Sequence, residues 1–153
     1  MCHDSEVSLQ SGAKFCMKRE LLMSTFGAQY NDPPWGELIA VDLADGTDTW
    51  RSVFGTTEVM IGLPLPWGTP DFGGAMMTSS GLIFTGAAMD DYICAFNNRS
   101  GEKIWKAALP ASGQATPMSC EWQSKQYVPI VAGGHSTSGT TQGDYVVSFA
   151  LPG

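Results

Sequence analysis

Positive charge is scarce in this chain. Eight Lys and Arg stand against 15 Asp and Glu, the formal net charge is −7, and the basic residues form no cluster. Proteins hold nucleic acid or anionic lipid by neutralising phosphates with Lys and Arg, so neither is the main partner here. Long apolar runs are absent too; none approaches the ~20 residues that a membrane helix needs. The opening Met1-Cys2-His3-Asp4-Ser5-Glu6 is polar and acidic, unlike a signal peptide; if the protein belongs outside the cytoplasm, its export address is expected upstream. The four cysteines, Cys2, Cys16, Cys94 and Cys120, are scattered and make no CxxC. Cys94 sits in an apolar strand as a buried thiol, and nothing demands a disulfide or fixes a redox compartment. Also missing are a Walker loop, a GxGxxG opening a helix and a Ser/His/Asp grouping. Asp42, Asp45 and Asp48 recur every third residue, which does not match the alternate ligand positions of a calcium loop and reads as a hairpin turn. Asn98-Arg99-Ser100 is a formal glycosylation sequon that also reads as a plain turn. No metal site is expected within this segment.

What the chain does have is turns and a repeat. Its 18 Gly and 9 Pro imply many short strands, and 43% hydrophobic with 15% charged residues fits a globular protein. Leu38-Ile39-Ala40-Val41-Asp42, a polar turn, Gly46 and Trp50-Arg51 return as Ile93-Cys94-Ala95-Phe96-Asn97, a polar turn, Gly101 and Trp105-Lys106. Gly46 and Gly101, and Trp50 and Trp105, are each 55 residues apart, the mark of one supersecondary unit used repeatedly. A third copy opens at Asp144-Tyr145-Val146-Val147-Ser148-Phe149, matching Asp91–Phe96, and stops before its turn and Trp. The expectation is therefore a piece of a larger repeat protein.

The units are read as 36–54, 73–109 and 114–152, after an irregular lead-in over 1–35 in which Met17–Met23 is a candidate helical turn. The most complete unit has strands Gly74–Thr78, Leu82–Ala87, Tyr92–Asn97 and Lys103–Leu109. In its third strand Tyr92, Cys94 and Phe96 face one side and Ile93 and Ala95 the other, so both faces are apolar and the strand lies between packed sheets. Repeated four-stranded antiparallel sheets stacked face to face describe an all-β fold, a β-propeller with about three blades present and the last incomplete. Trp50 and Trp105 end the outer strand of their units, where an indole lies over the next blade, or else serves as an ordinary core residue. A third unit is expected to open at Ala115-Thr116-Pro117-Met118.

The Ala-x-Asp-x-x-x-Gly-x-x-x-Trp repeat resembles the tryptophan-docking motif of the quinoprotein dehydrogenases, which carry pyrroloquinoline quinone (PQQ) on an eight-bladed propeller. Pro33-Pro34-Trp35-Gly36-Glu37-Leu38, Trp67–Gly74, Met89-Asp90-Asp91-Tyr92, Gln114–Met118, Ala132-Gly133-Gly134-His135, Gly143–Val147 and Ala150-Leu151-Pro152 are similar to the membrane-bound glucose, quinate and polyol dehydrogenases, the quinate type above all. The likeness runs from about Ser11 to Pro152 and matches the C-terminal end of such an enzyme. Thr47 and Asn97 depart from the motif at solvent-facing turns.

The resemblance implies a PQQ-dependent oxidation of a sugar or cyclic polyol. It also implies calcium, a catalytic base and a membrane anchor supplied upstream, membrane quinone as acceptor, a periplasmic location, and the rest of the propeller as partner. No catalytic residue is expected in this segment, which alone would be inactive. Gly133, Gly134 and His135 would line the cofactor or substrate: two glycines allow close backbone approach to a flat group, and His135 offers a hydrogen bond. Without the resemblance, His135 reads equally as part of a Gly/Ser/Thr surface loop. Asp71 and Thr116 would face the same end, with Asp71 also explicable as a turn cap. Trp67 anchors its loop or stacks on a ring. Gly46, Gly101, Trp50 and Trp105 would be structural docking residues. The alternative is a non-catalytic interaction propeller like the outer-membrane assembly lipoproteins, which share the Trp repeat but leave the Gly/Pro loop at 55–74 and Gly133-Gly134-His135 unused.

Overall fold

A computed structural model describes residues 7–18 and 22–151, which fall into two compact units, one through Tyr30 and one from Asn31 onward. In the first, β1 (Val7–Leu9) pairs antiparallel with β2 (Cys16–Lys18). The start of the expected helical turn is thus a strand, because Met17 and Lys18 find backbone partners in Ser8 and Val7; residues 19–21 lie outside the described set. Cys16 is disulfide-bonded, a constraint that the scattered cysteine spacing does not reveal.

The second unit is a series of antiparallel sheets. β3 (Glu37–Val41) and β4 (Asp48–Val53) form a hairpin. Gly46 supplies its positive φ of 75°. The carboxylates of Asp42 and Asp45 accept the backbone N–H groups of Ala44 and Thr47 at 2.8 and 2.9 Å, so these aspartates serve the turn. The long connection that follows contains α1 (Glu58–Ile61), ended by Gly62. Next come β5 (Ala75–Met77), β6 (Leu82–Thr85), β7 (Tyr92–Asn97) and β8 (Lys103–Ala108), a four-stranded meander. The last sheet joins β9 (Cys120–Trp122), β10 (Lys125–Ala132) and β11 (Tyr145–Ala150).

The core lies on the two faces of β7. Ile93 packs with Leu109, Ala111, Val128, Ile130 and Ala132, toward the sheet that follows. Cys94 and Phe96 pack with Phe54, Ala87 and Ala88, toward the segment that precedes. A strand covered on both sides explains its unbroken apolar sequence.

The third unit opens later than Ala115–Met118. The Met118 N–H donates to the Pro129 carbonyl at 3.1 Å, but Pro129 has no N–H to return, so the ladder thins there and β9 begins at Cys120. Its two-residue turn, Gln123-Ser124, holds φ of 51° and 59°, the geometry in which a hairpin follows the strand twist.

Candidate functional site

Alternate connections of an antiparallel meander leave from the same end, so 54–74, 86–91, 109–119 and 133–144 converge, and hydrogen bonds tie them together. Thr56 donates through its backbone N–H and its hydroxyl to Asp90 Oδ2, at 3.0 and 3.2 Å. The Asp91 carboxylate accepts the Ser112 hydroxyl on Oδ1 and the Thr141 hydroxyl on Oδ2 at 2.7 Å. Gly74 N–H donates to the Thr116 hydroxyl at 3.1 Å, so Thr116 is spent on joining two connections.

His135 is exposed, and its ring stacks on Phe72 with centroids 5.2 Å apart and planes 12° from parallel. The Ser138 hydroxyl lies 3.2 Å from its Nδ1, and its backbone N–H donates to the buried Thr140 hydroxyl at 2.8 Å. The segment carrying Asp71 is thereby brought to His135 through the next residue, Phe72. Asp71 itself is exposed, at an isolated bridge to Ala88, and partial desolvation pushes its carboxyl above the usual range.

The two glycines differ. Gly134 holds φ of 70°, and a Cβ there would come within 2.2 Å of the Thr141 carbonyl. Its smallness is required by the loop's own return segment. A Cβ on Gly133 would meet nothing nearer than 3.7 Å.

The Trp residues reach the next sheet. The Trp50 indole N–H donates to the Asn98 carbonyl at 2.8 Å. A Cβ on Gly101 would fall within 2.4 Å of the Trp50 ring. Trp105 packs edge-on against Phe149 of β11 at 5.2 Å and against Phe84 at 6.3 Å. Trp67 meets Trp35 edge-on at 5.9 Å, which accounts for it as a loop anchor.

Sequence reasoning passed over two groups at this end. Asp90 is 3% exposed; its buried Oδ1 has no partner among the described residues. Burial raises its pKa, against the opposing pull of Lys106 and the Thr56 hydrogen bonds. It lines a cavity of about 410 Å³ with Glu58, Tyr92 and Leu109 among its walls. Gln114 likewise has its Nε2 buried and unpaired. The signal for Asp90 was the carboxylate pair placed directly before the apolar run of β7, and that for Gln114 was its place in the Gln114–Met118 stretch that resembles the dehydrogenases. Among the described residues no group of three His, Cys, Asp or Glu is arranged to hold a metal ion.

The PQQ glucose/ethanol/alcohol dehydrogenase β-propeller domain family matches residues 1–128. The chain belongs to this family. Over 97% of its length it is 39% identical to quinoprotein glucose dehydrogenase of Escherichia coli strain K12, spanning 20% of that protein. Over 92% of its length it is 37% identical to quinate/shikimate dehydrogenase (quinone) of Acinetobacter baylyi, spanning 18% of that protein. These two identities do not single out the quinate type. In solved structures, quinohemoprotein alcohol dehydrogenase from Comamonas testosteroni superposes with a TM-score of 0.59 at 20% identity, covering 82% of this chain and 18% of that one, a likeness of fold. The open sheets are thus part of a PQQ-type β-propeller, and the chain spans about a fifth of the curated relatives it matches.

Proposed function

We propose that this segment is the C-terminal part of a PQQ-dependent dehydrogenase that oxidises a secondary alcohol of a sugar or cyclic polyol, and that it walls one side of the cofactor and substrate site. One observation carries the reading. At the end where the connections converge, an exposed His135 is held flat on Phe72, while Asp90 Oδ1 and Gln114 Nε2 are left buried and unpaired. Buried polar groups are normally satisfied, and those that are not often mark a functional site. A carboxylate and an imidazole suit a hydroxyl- and carbonyl-rich ligand. Bound PQQ supplies the two-electron acceptor for alcohol oxidation.

The segment's own residues bind and orient. His135 would hydrogen-bond a substrate hydroxyl, Asp71 and Asp90 would set the charge of this wall, and Thr116 and Gly134 would keep the connections close. The catalytic base and the calcium ligands would come from the upstream chain, and electrons would pass to membrane quinone at the periplasmic side.

The full-length protein carrying this segment, prepared without cofactor, is the material for the test. Adding PQQ and calcium should switch on dye reduction with glucose or quinate, and the 153-residue chain alone should show none. His135→Ala should raise KM by about tenfold, the worth of one well-placed hydrogen bond. A full-length protein whose dye reduction ignores PQQ with every sugar and polyol tried would refute the reading.

A further inference from the structure

Four connections carry the residues assigned to this site; Gln114 lies on one of them and reaches two others. Its own segment runs into Thr116, which receives the Gly74 N–H. Its carbonyl lies so close to Gly73 that a Cβ there would come within 2.8 Å of it, and Gly73 follows Phe72 directly. Its Oε1 lies 3.5 Å from the Thr140 hydroxyl and shares that proton with the His135 carbonyl at 3.4 Å, and the same hydroxyl receives the His135 N–H at 2.8 Å. Thr140 is 4% exposed, so water does not compete for the link. The backbone of Gln114 therefore abuts the residue beside Phe72, while its side chain reaches, through Thr140, the backbone of His135, so that one residue meets both partners of the stacked pair.

Folding alone gives no reason for a carboxamide here. Its Nε2 is buried with no acceptor among the described residues, and a donor left unpaired on burial is a cost that an apolar side chain of the same shape would not carry. We propose that Gln114 is a positioning residue, holding the His135 loop through the Thr140 hydroxyl so that the imidazole stays in register over Phe72. The proposal rests on the dehydrogenase reading only for the purpose of that imidazole; the placement itself is a property of this chain.

The two are separated by measuring both placement and turnover in the full-length protein carrying this segment. Gln114→Met keeps length and removes both polar atoms. Gln114→Glu keeps an oxygen for the Thr140 hydroxyl and removes the unpaired N–H. In protein labelled with ¹³C on histidine, with His135→Asn to identify the signal, the ring protons of His135 should carry the upfield shift of an aromatic face. Gln114→Met should lose most of that shift and raise KM for the sugar about five- to tenfold, with kcat within twofold and Tm unchanged or higher. Gln114→Glu should restore the shift and most of the KM.

Two results would overturn the proposal. One is a wild-type His135 signal and KM in Gln114→Met. The other is a fall in Tm with the signal unmoved, which would make Gln114 a packing residue. If the wild-type protein oxidises no sugar or polyol, the dehydrogenase reading fails, and the His135 signal still decides the role of Gln114.

Discussion

At the scale of single residues, Trp50 does two things that its repeat partner Trp105 does not. Its ring fills the space that Gly101 leaves open, and its N–H satisfies the Asn98 carbonyl across two sheets. Trp50→Ala should cost about 3 kcal/mol in urea unfolding and Trp50→Phe about 1 kcal/mol, the second isolating the hydrogen bond. Trp105 is 38% exposed and meets Phe84 and Phe149 edge-on, so its truncation should cost less. Asp90 gives a pH test. Its pKa is raised in the folded protein, chiefly by burial, so over the window between the unfolded and folded values the native state holds more protons. Stability should therefore fall as pH rises through that window, and Asp90→Asn should flatten the profile of unfolding free energy against pH. A variant whose profile keeps the wild-type slope would assign the pH dependence elsewhere. The tryptophan spacing was plain in the sequence, whereas the burial of Asp90 was not, because the connection that packs on it carries Thr56, which is distant in the chain.

At the scale of elements, the strand pattern was legible wherever both faces of a strand were apolar, as in β7, whose limits Tyr92–Asn97 match the expected ones. It was less legible at edges. The expected Gly74–Thr78 shortens to Ala75–Met77, and the opening strand of the last unit shifts to Cys120 because Pro129 cannot complete its ladder. The Gln123-Ser124 turn also escaped notice. Both residues hold positive φ without being glycine or asparagine, so no turn signature announces them. Replacing the pair by Asn-Gly should raise the thermal midpoint, since the new residues reach that geometry at lower cost; a gain of roughly 0.5–1 kcal/mol is expected. A lower midpoint would mean that the two side chains contribute contacts beyond the turn.

At the scale of the whole molecule, the terminal sheets present apolar side chains outward. Val41 of β3 is 48% exposed on one side and Val146 of β11 73% on the other, where a closed propeller would cover such faces with further blades. Expressed alone, the chain should self-associate, with a sedimentation coefficient that rises with protein concentration and with sulfate, both of which favour apolar burial. A single species of 16.3 kDa at all concentrations would contradict this. The sheet edges at β3 and β11 add unpaired backbone groups to the same tendency.

The sequence by itself determined the repeat, the apolar strands, the Gly turns and the docking tryptophans, because each depends on residues close together in the chain or on a fixed spacing. From those it also carried the propeller class and the family. Only the tertiary structure decided which residues share the site end. Phe72 meets His135 across 63 positions of sequence, and the single Asp91 side chain joins Ser112 to Thr141. Such pairings arise when sheets stack and their alternate connections converge, a consequence of packing that no local pattern records.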